Sequence, residues 1–407
     1  MIRVLPHGTF AALRTANYRR FFVGQSLSLI GTWMQTVAQG WLVLELTGSG
    51  TALGLVAAAQ FLPVLVVGPY GGVLADRWDK RRMLIATQAA FGVLALTLGL
   101  LTVTGAVALW MVVVLAVLFG VVNACDSPAR QTFALDMVGP DRLRNAVTLN
   151  SVLVNAARAL GPSLAGVLIA TTGTGVCFLV NAGSYVAVLL ALGRMDPAAL
   201  RPSEPAAREP GQVRDGLRYV KRTPDLVVPL VMLAVVGTLA YEFSVVLPLL
   251  ARNTFGGGPE TYGILTSAMG AGAIVGGLIA AGRSGYGLGR LSVAAAGFGG
   301  AILLAAVAPT LAVEVLALAV VGAASVTFLA TGNTTLQLSS DPRYRGRVMA
   351  LWAMAFLGST PIGGPIIGAV SQEVSPRGAL ALGALACLAA AALGAAARSR
   401  VGRARPA

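Results

Sequence analysis

Twelve membrane-spanning helices, in two pseudo-symmetric halves of six, are expected of this 407-residue chain, an all-α integral membrane fold. Three features point there. Hydrophobic residues make up 56% of the chain and charged residues 11%, against about 25% charged in a typical soluble domain. Long stretches carry no charge at all. The basic residues, 30 against 16 acidic, fall in alternate connections between those stretches.

A helix needs about 20 apolar residues to cross the bilayer core. The first span is Phe21–Leu44. Leu46–Ala75 holds a turn at Thr47-Gly48-Ser49-Gly50 and then the second span. Met83–Cys125 is too long for one crossing and divides at Thr102-Val103-Thr104-Gly105 into the third and fourth. The run that ends with Ala159–Gly193 divides at Thr171-Thr172-Gly173 into the fifth and sixth. The other six are Leu226–Leu250, Tyr262–Gly282, Leu291–Ala308, Leu311–Gly332, Val348–Gln372 and Ala379–Ala397.

The even-numbered connections and the two tails hold 27 of the 30 basic residues. Arg252 and Arg377 lie on the other side, and Arg158 lies inside a span. Because basic loops stay in the cytoplasm, both termini are expected there, in a multi-pass protein of the cell's inner membrane. The net charge of +14 then mostly encodes topology, with some attraction to anionic lipid and no need of nucleic acid. The parts are a basic arm (1–20), a six-helix half (21–193), a cytoplasmic linker (194–224), a second half (225–397) and a basic tail (398–407). The arm carries Arg3, Arg14, Arg19 and Arg20 with no separate apolar core and cleavage site, so no cleavable signal is read in it. The linker is rich in proline and mixed charge, and Gln212–Arg222 can form a short amphipathic helix on the membrane surface.

The inventory excludes several chemistries. His7 is the single histidine, so a His-rich metal site, a membrane Ser-His-Asp triad and a bis-His haem are ruled out. Cys125, Cys177 and Cys387 are far apart with no CxxC spacing and read as small buried hydrophobes. Neither Lys80 nor Lys221 follows a GxxxxG pattern, so no ATP-binding P-loop is present. Gly270-Ala-Gly272 runs on into an apolar span and reads as packing glycine rather than a dinucleotide fingerprint. No cofactor or metal is implied.

A faint repeat pairs Arg144-Asn145-Ala146-Val147, before a span with Gly161-Pro162 and Gly166, with Arg345-Gly346-Arg347-Val348, before one with Gly364-Pro365 and Gly368. Duplicated halves are how many secondary transporters are built. The connection after the second span, Gly72-Val-Leu-Ala-Asp76-Arg77-Trp-Asp-Lys80-Arg81-Arg82, resembles the signature loop G-x-x-x-D-R-x-x-R/K-R of the major facilitator superfamily. Arg158-Ala-Leu-Gly161-Pro162-Ser-Leu-Ala-Gly166 resembles the superfamily's Gly-Pro motif of exporters and antiporters. Gly31-Thr32-Trp33-Met34-Gln35, Trp41-Leu-Val-Leu-Glu45-Leu-Thr47-Gly48, Asp126-Ser127-Pro128-Ala129-Arg130-Gln131 and Asn145-Ala-Val-Thr-Leu-Asn150-Ser151 are similar to the enterobactin-exporter-like branch of drug:proton antiporters, also called transmembrane secretion effectors. The resemblance spans nearly the whole chain. The connection between spans 8 and 9 has lost the aspartate of the signature, so any gate there is built differently.

Gln25, Ser28, Thr32, Gln35 and Gln39 recur at spacings of 3 and 4 and share one face of the first span. Such a face points at protein or water, as a cavity wall or as interhelical hydrogen-bonding glue. Ser151, Asn155, Arg158 and Pro162 share a face of the fifth span. A mid-span charge costs about 3 kcal/mol even on the lenient insertion scale, so Arg158 needs compensation from Asn155, from water, from polar groups of the first span or from cargo, or else it forms a fixed ion pair. Gly161, Pro162 and Gly166 let another helix approach closely. The acidic residues within spans are Glu45, Glu242 and Glu314; the first and last lie near outer ends and can reach the interface. Glu242, after Thr238 and Tyr241, is the best proton carrier, because an apolar site disfavours a charged carboxyl; the alternative is a structural hydrogen bond. Gly72 suits tight helix packing, and Asp76 suits capping of an opposing helix end. Arg77, Lys80 and Arg81 are expected to pair with Asp126 and hold an inner gate that includes Arg130; topology-setting charge alone is the alternative, which explains Arg82 well but not Asp76.

These readings converge on a secondary exporter of small amphipathic molecules, such as drugs, siderophores or secondary metabolites, driven by proton antiport. Its expected partners are the small-molecule substrate, protons and the bilayer, and it is expected to act as a monomer without ATP. The alternatives are an importer of the same fold and a transport-like receptor or scaffold. A membrane enzyme lacks any nucleophile–base pair or metal cluster.

Overall fold

The computed structural model describes residues 10–201, 212–282 and 285–403. The side chains of residues 69–77 lie outside that set, as do His7, the proline-rich residues 202–211 and Arg283. Every regular element among the described residues is helical. Among these described residues, eleven helical segments are long and apolar enough to cross a membrane. The first helix, α1 (Ala16–Thr47), is long enough to be a twelfth. Its polar face, with Gln25, Ser28, Thr32, Gln35 and Gln39, accounts for its lower hydropathy.

By contacts the chain forms two compact units. Unit one comprises Met1–Leu42 and Pro63–Ala207. It holds most of α1 and α2 (Gly50–Arg77), with α3 (Lys80–Val103), α4 (Leu109–Val138), α5 (Pro140–Thr172) and α6 (Thr174–Gly193). The sequence suggests a basic loop from Arg130 to Arg144, but there the chain is helical except at Gly139. That residue has φ 73°, which glycine adopts without the Cβ penalty, and Pro140 then starts α5 at a position where no backbone N–H is needed. A core of Tyr18, Phe21, Met83, Leu84, Phe133, Leu149 and Leu192 packs at the basic end of this unit. The start of the linker is strapped to it: Asn17 exchanges two hydrogen bonds with the Asp196 backbone (2.8 and 3.0 Å), and the Arg201 N–H donates to the Asp136 carbonyl (2.9 Å).

Unit two comprises Val43–Leu62 and Arg208–Ala407. It holds α7 (Gln212–Arg222), α8 (Pro224–Ala240), α9 (Phe243–Leu249), a π turn (Leu250–Thr254), α10 (Pro259–Gly282), α11 (Leu288–Ala306), α12 (Leu311–Ser339), α13 (Arg345–Leu357), α14 (Thr360–Glu373) and α15 (Pro376–Arg403). Two expected spans are thus broken: the seventh at Tyr241-Glu242 and the eleventh at Gly358-Ser359. The amino end of α2 crosses α14 backbone to backbone. A Cβ on Gly54 would overlap the Gly364 carbonyl, and one on Gly50 would lie 2.6 Å from the Gly368 oxygen. Gln372 completes the crossing by accepting from the Ser49 hydroxyl (2.6 Å) and the Thr51 N–H (3.2 Å), which caps α2. The glycines α10 and α12 share do the same: Gly272 and Gly276 press on the carbonyls of Ala319 and Ala323, and Gly322 on that of Met269. Gly272 is packing glycine.

Candidate functional site

Unit one encloses a cavity of about 400 Å³ among α1, α4 and α5. Phe21 and Phe22 give it apolar walls; Gln25, Arg130, Gln131 and Asn150 give it polar ones. Gln25 is 2% exposed, and its Oε1 has no hydrogen-bond partner. A buried amide oxygen without a partner costs free energy. Arg130 is held from behind by Asp126, one turn earlier on the same helix. Asp126 is wholly buried and also accepts from Thr87 (2.7 Å) and Gln88 (2.9 Å) of α3.

The expected pairing of Lys80 and Arg81 with Asp126 is not what the structure shows. Lys80 pairs with Asp136 at 2.9 Å, and Arg81 donates to the carbonyls of Leu192 (2.8 Å) and Gly193 (3.1 Å) at the end of α6. Register explains the difference. α3 and α4 run antiparallel with Thr87 beside Asp126, so Lys80, two turns back on α3, meets α4 two to three turns further on. Arg81 places its cation on the negative end of α6. Gly72, Asp76 and Arg77 fall on α2, with side chains outside the described residues.

The polar face of α1 is largely taken up within the unit. Gln35 is buried and accepts from Asn181 of α6 at 2.6 Å. Thr32 bonds to the Ser28 carbonyl (2.8 Å) and lies 3.4 Å from the Tyr185 hydroxyl. Asn181 and Tyr185 sit four apart in the sixth span, a signal the sequence holds and the polar-stripe reading missed. Gln39 is half-buried.

Arg158 is compensated by a ring. Its guanidinium lies over the Trp33 indole, 5.1 Å from the ring centre, a cation–π contact worth about 0.5–2 kcal/mol depending on desolvation. Asn155, the partner suggested by its position one turn earlier, donates to the Ser151 carbonyl of its own helix (2.8 Å). Gly161 brings the ring within reach: a Cβ there would lie 2.5 Å from Trp33 Cβ and 3.0 Å from the Ile30 oxygen, so α1 and α5 touch along their backbones. Pro162 and Gly166 are buried in the same helix. A lysine at 158 keeps the charge but loses the planar stacking face. Arg158→Lys is expected to fold and to lower transport several-fold, and Arg158→Ala and Trp33→Leu to lower it further; rates in reconstituted vesicles at matched membrane levels check this.

In unit two, the breaks of the seventh and eleventh spans meet at Glu242. It is 3% exposed, between α8 and α9. Thr360, the first residue of α14, hydrogen-bonds to its carboxyl, while Oε1 has no partner. Gly363 packs on the Thr238 carbonyl, so α14 approaches α8 with no side chain between. Apolar residues line a small space beside the carboxyl, among them Phe243, Ile302, Ile367 and Leu380. Burial opposes the carboxylate, whereas the hydroxyl and the adjoining amino end of α14 favour it. Tyr241 instead serves the core: its hydroxyl donates to the Ser325 carbonyl (2.7 Å), and its ring packs on Phe298 and Phe356. The Thr238 hydroxyl bonds to Ala234 of its own helix (2.7 Å).

Glu45 is exposed near the end of α1. Glu314, which the sequence allows to reach the interface, is fully buried in the first turn of α12. Neither carboxyl oxygen has a hydrogen-bond partner, and Arg377 acts on it electrostatically. Among the described residues no group of three or more His, Cys, Asp and Glu could hold a metal ion.

The sequence and the fold have counterparts in known proteins. Over 262 residues, 64% of this chain, the sequence is 27% identical to the staphyloferrin A transporter of Staphylococcus aureus. That alignment spans 65% of the relative's own length, just under two thirds. Over 376 residues, 90% of this chain and 87% of the relative, it is 25% identical to the enterobactin exporter EntS of Shigella boydii. The fold matches that of a bacterial homologue of the human lysosomal transporter Spinster, solved inward-facing and occupied, with a TM-score of 0.74 at 15% identity over 97% of this chain and 98% of that one. The family described as transmembrane secretion effector matches residues 7–405. The chain belongs to that family, a branch of the major facilitator superfamily whose members are transporters and not enzymes.

Proposed function

We propose that this protein is a secondary active exporter that moves small amphipathic molecules out of the cell by alternating access, in exchange for protons. It acts as a monomer in the inner membrane, without ATP, with both termini in the cytoplasm. The observation that carries the reading is Glu242: a buried carboxyl with one free oxygen, where two broken helices meet. Broken helices around an ionisable group are a recurring design of ion-coupled transporters, and an intramembrane acid is by default functional. Glu314, equally buried in unit two, is a second candidate for the coupling proton, and the exposed Glu45 a weaker one.

The cavity of unit one supports the nature of the cargo. Its aromatic walls suit an apolar body, and its amides with the Arg130 cation suit neutral or acidic polar groups. Gln39, Thr32 and the Trp33–Arg158 pair extend the same helices toward mid-span. Asp126 and Arg130, with Lys80, Arg81, Gly72, Asp76 and Arg77 at the same end, form the inner gate. The relatives named as exporting enterobactin and transporting staphyloferrin A make a siderophore-like metabolite the first cargo to try.

The test is accumulation of such metabolites and of amphipathic dyes in inside-out vesicles under an imposed proton gradient. Uptake that needs the gradient supports the proposal. Uptake only in right-side-out vesicles would make the protein an importer, and saturable binding without movement would make it a receptor. Asp126→Asn checks the gate separately. It removes a charge from a buried cluster while Arg130 can still reach the cavity, so a cost of about 2 kcal/mol is expected, read as a lowered melting temperature in detergent together with slowed turnover.

A further inference from the structure

We infer that α7 is an anionic-lipid sensor: its outward face binds negatively charged phospholipid headgroups and reports their presence to the connection that leads into α13. Leu217, Arg218, Lys221 and Arg222 are exposed, and their spacing places them on one side of the helix. Leu217 is 43% exposed, an apolar residue among three cations, the composition of a helix lying at a membrane surface. Chain geometry sets the height. α7 ends at Arg222, and α8, part of a membrane-crossing segment, begins at Pro224. Only Thr223 separates them, so Lys221 and Arg222 sit within a Debye length, about 8–10 Å, of the bilayer edge.

The opposite side of α7 is fixed to the protein. Val220 is buried, and the Tyr219 ring stacks on Tyr344 at 4.3 Å between ring centres. The Tyr219 hydroxyl accepts the Asp341 N–H (3.0 Å). Asp215 reaches Arg218 (3.9 Å) and Arg347 (4.0 Å). Two carboxylates therefore oppose the basic face. Asp215 shares its charge with Arg218 and Arg347, and Asp225 lies in the first turn of α8, where the helix end favours an anion. Lys221 and Arg222 are left to meet the headgroups. A lipid that holds α7 also holds Tyr219, and through it the segment from Asp341 to Arg347.

Hydrogen exchange of the full chain in nanodiscs tests this, comparing phosphatidylcholine alone with phosphatidylcholine plus phosphatidylglycerol. Anionic lipid is expected to slow α7 amide exchange by about fivefold per engaged cation, and to slow residues 341–347 with it. High salt, or Lys221→Gln with Arg222→Gln, should abolish the difference while leaving exchange in phosphatidylcholine unchanged. Equal exchange in the two lipids would overturn the inference. So would an anionic-lipid effect that survives the double variant, or strong protection in both lipids, which would mean that protein covers this face.

Discussion

Glu242→Gln should abolish gradient-driven accumulation of substrate while leaving the protein folded. The amide is nearly isosteric, can still bond to Thr360, and cannot titrate. Burial at 3% exposure leaves no direct path for bulk water to substitute for the carboxyl. In proteoliposomes the variant should still exchange labelled substrate down its own gradient, and should show no proton movement coupled to it. Its melting temperature should match that of the parent within a few degrees, because a neutral group replaces one that is costly to ionise in an apolar site. Accumulation that still follows an imposed pH gradient would remove Glu242 from coupling and move the role to Glu314.

Gly322→Val should have the largest effect on stability. A Cβ at that position overlaps the Met269 carbonyl, which is backbone and cannot swing away. Gly272 and Gly276 press on α12 from the facing helix in the same way, so relief would require moving α10 and α12 apart along their length. Overpacking a core costs about 1–3 kcal/mol where side chains can adjust, and here they cannot, so poor accumulation in the membrane and a large loss of thermal stability in detergent are expected. Gly297, which has open space around its Cα, is the control: Gly297→Ala should be neutral.

Much of this architecture is readable in the sequence because lipid imposes a simple rule: an apolar run of sufficient length must be a helix, and its basic flanks mark a side. Glu242 and Arg158 stand out for the same reason, as ionisable groups where few are tolerated. Which partners they meet is not readable, since partners depend on register between helices. Arg158 lies over a tryptophan on α1, an aromatic partner that a polar stripe does not reveal. Lys80 and Asp136 could have been matched by folding α3 onto α4 as an antiparallel pair. The break in the eleventh span has a local signal, Gly358-Ser359-Thr360-Pro361, a helix stop followed by a proline-led start. The break at Tyr241-Glu242 has none, and arises where α14 presses on α8.

Those two breaks give unit two a mechanical property that an unbroken span such as α1 lacks. A continuous helix transmits a push along its axis like a strut, whereas each interrupted one is a pair of arms on a joint. Here both joints share one pin, because Thr360 at the head of one arm is tied to the carboxyl in the elbow of the other. Bending of α8 against α9 should therefore be correlated with bending of α13 against α14. Spin-label distances across the two elbows should fluctuate together in the parent protein, and Thr360→Val, which cuts the tie while filling the same space, should let them fluctuate independently.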